Sequence, residues 1–256
     1  MYNELLKIGP VTIYGYGLMI ALGVLVAYQL VAYRAANRQL ELSHVYSLTA
    51  WCLVGGFIGA KLLYWMTQIP NIINDPKILL NFSDGFVVYG GIISGIGVGL
   101  VYCRIKKINF LKHLDLFVPS VALAQGFGRI GCLLAGCCYG KETHGWFAIT
   151  FHHSEIAPND VALIPTQIME SVFNFALCLM LILLAKRVNK DGVVAATYLI
   201  LYSLGRFIIE FYRGDMIRGQ VGLLSTSQLI SLIVVLATSL VLFLFRHQNQ
   251  LTGKNV

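Results

Sequence analysis

Arginines and acids recur at helical spacing in a chain that otherwise carries few charges. Arg206, Glu210 and Arg213 stand at i, i+4 and i+7, which places them on one face if the helix continues through all three. Gln125, Arg129 and Cys132 repeat the spacing. Lys61 and Glu170 lie within other apolar stretches, and Tyr16 and Tyr89 lie near the ends of two more. Arginine binds phosphate through paired hydrogen bonds from a planar fork, so several such cations converging on one place suit a phosphate-bearing ligand. Each also has a plainer reading. Lys61 can pair inside a bundle or reach for headgroups, and a tyrosine near a helix end can belong to an interfacial belt. Cys132, Cys137 and Cys138 match no common zinc spacing. Read as one continuous helix, 132 and 137 fall on different faces. Small packing residues are expected, with a disulfide from Cys132 to a distant cysteine as an alternative. Neither a metal nor a cofactor is expected.

The elements that must position these residues are set by composition. Of 256 residues, 57% are hydrophobic and 12% charged, against about 25% charged in an ordinary soluble domain. Mean hydropathy is +0.72. So little charge excludes disorder and a coiled coil. Stretches of about 18 or more apolar residues occur at 11–33, 45–67, 85–103, 114–138, 161–185, 193–212 and 223–245. They predict an all-α integral membrane protein, a bundle of seven transmembrane helices in one domain spanning 1–256. The first segment is too long for a secretory signal and lacks a basic run before it. No internal repeat of the transporter kind is evident.

Lys and Arg outside the segments divide eleven to five between the two sides. The positive-inside rule then places the N-terminus outside and the C-terminus in the cytoplasm. The formal net charge of +7 is thereby ascribed to cytoplasmic loops rather than to nucleic-acid binding. Five charged side chains stand out inside the segments: Lys61, Arg129, Glu170, Arg206 and Glu210. At 1.5 Å of rise per residue, all of them, with Tyr16 and Tyr89, fall in the outer half of the bilayer. Charges are costly in hydrocarbon and are functional candidates there. Gly55 with Gly59, and Gly91 with Gly95 and Gly99, form small-residue stripes suited to close helix packing. Pro119 and Pro165 are candidate helix bends.

With these residues in view, the chain resembles the prolipoprotein diacylglyceryl transferases. Tyr16-Gly17-Leu18-Met19 matches the family's first-span motif, and Gly59-Ala60-Lys61 matches its G-A-R element with Lys for Arg. Gly128-Arg129-Ile130-Gly131 opens the family signature. Pro165-Thr166-Gln167 with Glu170 fits P-T-Q-x-x-E, Arg206 through Arg213 fits R-F-x-x-E-F-x-R, and Leu224-Ser225 with Gln228 fits L-S-x-x-Q. The family's H-G-G element appears here as Tyr89-Gly90-Gly91. Its signature continues as Cys132-Leu133-Leu134-Ala135-Gly136-Cys137-Cys138, and the His and Tyr that flank P-T-Q are Ile164 and Met169.

The resemblance implies an enzyme of the bacterial cytoplasmic (inner) membrane with its site facing the outer leaflet. It would move a diacylglyceryl group from phosphatidylglycerol to the lipobox cysteine thiol of prolipoprotein signal peptides, releasing glycerol phosphate. Tyr89, Arg129, Arg206 and Arg213 are its expected catalytic residues. Tyr16, Lys61, Gly90, Gly91, Gln125, Gln167, Glu170 and Glu210 are its expected substrate-binding residues. The Tyr89 phenol is expected to donate a hydrogen bond to a phosphate oxygen rather than to take the thiol proton. Two other classes remain open: a transporter or flippase of anionic lipids using the same charged cavity, and a membrane thiol oxidoreductase built on Cys132, Cys137 and Cys138. A retinal photoreceptor is excluded because the last span has no lysine for a Schiff base.

Overall fold

A computed structural model describes residues 4–8, 11–80, 85–215, 219–222 and 224–251. Arg218 and Lys254, which count in the charge bias, lie outside the described residues. The order runs β1 (Glu4–Ile8), β2 (Val11–Tyr14), α1 (Gly15–Asn37), α2 (Leu42–Thr67), α3 (Ile69–Asn74), a 3-10 turn (Pro76–Leu80), α4 (Val88–Lys106) and α5 (Phe110–Ala135). It continues with β3 (Ile149–Thr150), β4 (Ala162–Leu163), α6 (Thr166–Arg187), α7 (Val193–Glu210), β5 (Gln220–Val221), β6 (Leu224–Ser225) and α8 (Thr226–Leu251). Among the described residues, seven helices are long and apolar enough to cross a membrane: α1, α2, α4, α5, α6, α7 and α8. The chain is a multi-pass membrane protein. Three antiparallel two-stranded hairpins are added to this helical frame.

The ends of the hydrophobic segments differ from the hydropathy reading for local reasons. Residues 11–14 form the second strand of a hairpin rather than the first turn of α1. Pro165 is the N-cap of α6, where its missing N–H costs nothing, so it bends no helix; Pro119 does lie inside α5. α5 stops at Ala135, and Gly136 follows with φ of 71°, the left-handed conformation that ends many helices. The start of α8 explains the L-S-x-x-Q motif. Ser225 N–H donates to Gln228 Oε1 at 3.0 Å while Gln228 N–H donates to Ser225 Oγ at 3.2 Å, a reciprocal capping box.

The chain packs as two units, Val31–His113 and Met1–Leu30 with Leu114–Val256. In the first, α2 and α4 meet along their glycine stripes. Ser94 Oγ donates to the Gly55 carbonyl at 2.7 Å, and a Cβ at Gly90 would fall on the Gly59 carbonyl. In the second, Val118, Ala122, Leu177, Leu181, Val194 and Tyr198 form a core shared by α5, α6 and α7. Ser171 Oγ ties α6 to α5 through the Gly126 carbonyl at 3.0 Å. Asp115, a sixth charge within the apolar segments, is buried and structural. Its carboxylate accepts from Gly192 N–H at 2.8 Å and Ala195 N–H at 2.7 Å, satisfying donors at the start of α7 that have no partner within that helix.

Candidate active site

Glu170 is the centre of the site. It lies in the second turn of α6, where the helix carries Gln167, Glu170, Ser171 and Asn174 as buried polar residues. Its Oε2 meets Arg129 Nε from α5, and its Oε1 accepts from Arg206 Nη1 of α7 at 2.7 Å. Arg206 also pairs with Glu210 at 2.5 Å one turn along and donates to Ser227 Oγ of α8 at 3.3 Å. Four helices therefore meet around one carboxylate. Two guanidiniums face this carboxylate, whose side chain is only 5% exposed, and a buried ion pair holds only where such partners are in place.

Arg213 is not on the α7 face that its spacing suggested. The helix ends at Glu210, and Arg213 sits in extended backbone bridged to Gly140. Its guanidinium forks onto Asp215, at 2.8 Å through Nε and 2.6 Å through Nη2, and lies 3.8 Å from Glu170 through Nη1. Burial works against the Arg213 charge, but Asp215 and Cys138 outweigh it and raise the guanidinium pKa. The three arginines thus face three carboxylates, Glu170, Glu210 and Asp215, rather than forming an uncompensated positive patch. They differ in access. Side-chain exposure is 19% for Arg129, 10% for Arg206 and 3% for Arg213. Among the described residues, Glu170 is the one acid paired with Arg129, through Nε.

The other expected residues divide between the units. Tyr16 opens α1 and packs against Gly131, where an added Cβ would lie 3.2 Å from its ring. Gln125 accepts from the Tyr198 hydroxyl at 2.9 Å. Gln167, 1% exposed, donates through Nε2 to the Cys137 carbonyl at 2.8 Å, while its Oε1 meets no partner among the described residues. Lys61, Tyr89, Gly90 and Gly91 belong to the other unit. Lys61 is buried, 5.0 Å from the ring centre of Tyr64 and 5.1 Å from that of Phe86, with Nζ 3.5 Å from the Gly85 carbonyl. Tyr89 stands in the first turn of α4 and is exposed. Gly90 and Gly91 follow it inside the helix and back onto α2.

The three cysteines require a correction. Because α5 ends at Ala135, Cys137 and Cys138 are not on its faces at all. The chain turns back, with Cys137 N–H donating to the Cys132 carbonyl at 3.1 Å and Cys138 at φ of 61°. All three sulfurs lie within 4.8 Å of one another. Thr166 Oγ1 fixes the turn through the Cys138 carbonyl at 2.8 Å, as Gln167 does through Cys137. The P-T-Q element is therefore what holds the cysteine turn beside the arginines. Within the trio, hydrogen bonds from Cys132 and then Cys137, aided by Arg213, push the Cys138 thiol pKa down. Cys137 is pushed up by the same contacts with Cys132 and Cys138 and by burial. Asp215 and Ser227 carried no distinguishing signal in the sequence, since each is named by its partner rather than by its own position; Thr166 stood within the P-T-Q element, and its bond to the Cys138 carbonyl gives it a role.

Seven helices long and apolar enough to cross a membrane, four of which meet at a buried arginine–carboxylate network, define an integral membrane protein with a charged site among its helices. The chain belongs to the prolipoprotein diacylglyceryl transferase family, whose model matches residues 3–244. It is 46% identical over 250 residues to the phosphatidylglycerol–prolipoprotein diacylglyceryl transferase of Clostridium tetani, covering 98% of this chain and 100% of that one. A Clostridium perfringens protein of the same name, numbered 2, is 43% identical over 94% of this chain and 93% of its own length. The one numbered 1 in that organism is 33% identical over 82% of each.

Proposed function

We propose that this protein transfers the diacylglyceryl group of phosphatidylglycerol to the thiol of a lipobox cysteine in a prolipoprotein signal peptide. The sulfur attacks the glyceryl carbon that bears the phosphate. A C–S bond forms, the C–O bond breaks with its electron pair going to the phosphate oxygen, and glycerol phosphate leaves. The thiol proton passes to solvent. Negative charge on the departing phosphate must be met by donors already in place. The observation that carries this reading is Arg129, held by Glu170 through Nε and the most accessible of the three arginines. In this reading Arg129 contacts the phosphate, while Arg206 and Arg213 keep Glu170 and the adjoining backbone in position. Tyr89, at the place of the family's H-G-G element, donates to a phosphate oxygen. Tyr16, Lys61, Gln125 and Gln167 contribute to the lipid and peptide path.

The protein acts in the cytoplasmic membrane of a bacterium, N-terminus outside, with the site open to the outer leaflet. The charge bias supports that orientation. Reporter fusions should find 141–160 outside and 186–192 inside; both loops on one side would overturn it. For the chemistry, purified protein is incubated with phosphatidylglycerol and a lipobox peptide, and mass spectrometry reads the product. A thioether-linked diacylglyceryl peptide is expected, and a peptide returned unmodified would overturn the reading.

A further inference from the structure

We propose that Cys132, Cys137 and Cys138 form a three-thiolate site for a thiophilic divalent cation of the zinc class, with a fourth position open to the acceptor thiol. The proposal rests on the transferase reading for the identity of that thiol, and on geometry for the site itself.

Three observations carry it. The three sulfurs lie within 4.8 Å of one another. Zinc–sulfur bonds of about 2.3 Å at tetrahedral angles space sulfurs by about 3.8 Å, so closure on an ion needs shifts of only about 1 Å. The backbone is already committed to this convergence. Gly136 and Cys138 both hold positive φ, a conformation that disfavours a side chain such as that of Cys138. Two buried side chains, Thr166 and Gln167, are used up in fixing the carbonyls of the two cysteines in the turn. Finally, three thiolates around a dication leave one negative charge. Arg213 donates to Cys138, and Arg129 lies within electrostatic reach of Cys132 and Cys138. Such outer contacts orient and stabilise metal ligands.

Three protein ligands with an open fourth position is the arrangement of catalytic rather than structural zinc. A thiol bound at such an ion is deprotonated. The acceptor cysteine would bind as thiolate, losing its proton to solvent, and the same sulfur would attack the glyceryl carbon. The C–O bond to phosphate breaks, the pair leaves with the phosphate beside Arg129, and the thioether, a weaker ligand, departs. The metal changes neither charge nor oxidation state.

The test uses the full chain in detergent micelles, reduced and dialysed against zinc alone. Elemental analysis should find about one zinc per chain, under a tenth of that in Cys132→Ser/Cys137→Ser/Cys138→Ser, and an unchanged content in Cys52→Ser. The single Cys138→Ser variant, with its fold checked by circular dichroism, keeps the comparison valid if the triple variant misfolds; it should lose most of its zinc. Cobalt in place of zinc should give thiolate charge-transfer bands that shift on adding a lipobox peptide and stay still with its Cys→Ser analogue. Zinc content equal in wild type and Cys138→Ser overturns the site, as does a disulfide found in place of metal. Cobalt bands indifferent to the peptide thiol overturn the open position. A cobalt site that responds to the thiol in a protein that forms no thioether would instead reject the transferase reading and leave the metal site standing.

Discussion

Arg206 reaches across 36 residues of sequence to place Nη1 2.7 Å from Glu170 Oε1, while Arg129 meets the other oxygen of the same carboxylate. One buried acid thereby sets two guanidiniums relative to each other. The relationship separates residues that hold the site from residues that act in it, and each expected outcome below tests one side of that division.

Glu170→Gln removes the charge and leaves two guanidiniums facing a neutral amide. Breaking a buried pair costs about 3–5 kcal/mol, and the Glu170 side chain is 5% exposed. Thermal unfolding in micelles should shift down clearly and transfer should fall with it. An unfolding curve that matches the wild type would show that the carboxylate is not what binds α5, α6 and α7 at this level.

Arg129→Lys and Arg213→Lys should fail in different ways. Lysine at 129 cannot hold Glu170 with one nitrogen and present others outward. Turnover should drop by about 10²–10³-fold, with little change in unfolding temperature. Lysine at 213 loses the fork onto Asp215, whose two contacts measure 2.8 and 2.6 Å, so unfolding should move first. Equal kinetic losses at unchanged stability in both variants would contradict the assignment.

Tyr89→Phe tests the hydrogen-bond donor role. Loss of one neutral donor is worth about 1 kcal/mol, so transfer should slow by roughly five- to tenfold and the thioether should still form. A variant dead at every pH would overturn the donor role and favour Tyr89 as the proton acceptor.

Gly90→Ala distinguishes packing from substrate contact. The added Cβ would fall on the Gly59 carbonyl and lie 2.6 Å from Leu63 Cβ, forcing α2 and α4 apart. Overpacking of this kind costs about 1–3 kcal/mol, which a melting curve reads directly. An unchanged melt with a raised KM for phosphatidylglycerol would assign Gly90 to the substrate instead.

The seven spans were legible in the amino-acid sequence because crossing a bilayer is a local demand: about 20 apolar residues must satisfy their backbone within themselves. The order of short motifs likewise pointed to the family, and the Gly55–Gly59 and Gly91–Gly95 stripes to close helix contact. What those motifs do was decided only by tertiary structure. L-S-x-x-Q proves to be a helix cap, and P-T-Q-x-x-E a clamp on a cysteine turn with an acid for the arginines. Arg213 left its predicted helix face because α7 ends three residues earlier, and its partner Asp215 is chosen by the extended segment it joins. Cys132, Cys137 and Cys138 looked dispersed because helical periodicity was extended past Ala135, beyond which left-handed backbone at Gly136 and Cys138 reverses the chain. Hydropathy measures transfer of a segment from water to lipid, a property each segment has alone. Ion pairs and thiol clusters depend on which segments meet, and that is settled by packing between residues far apart in sequence.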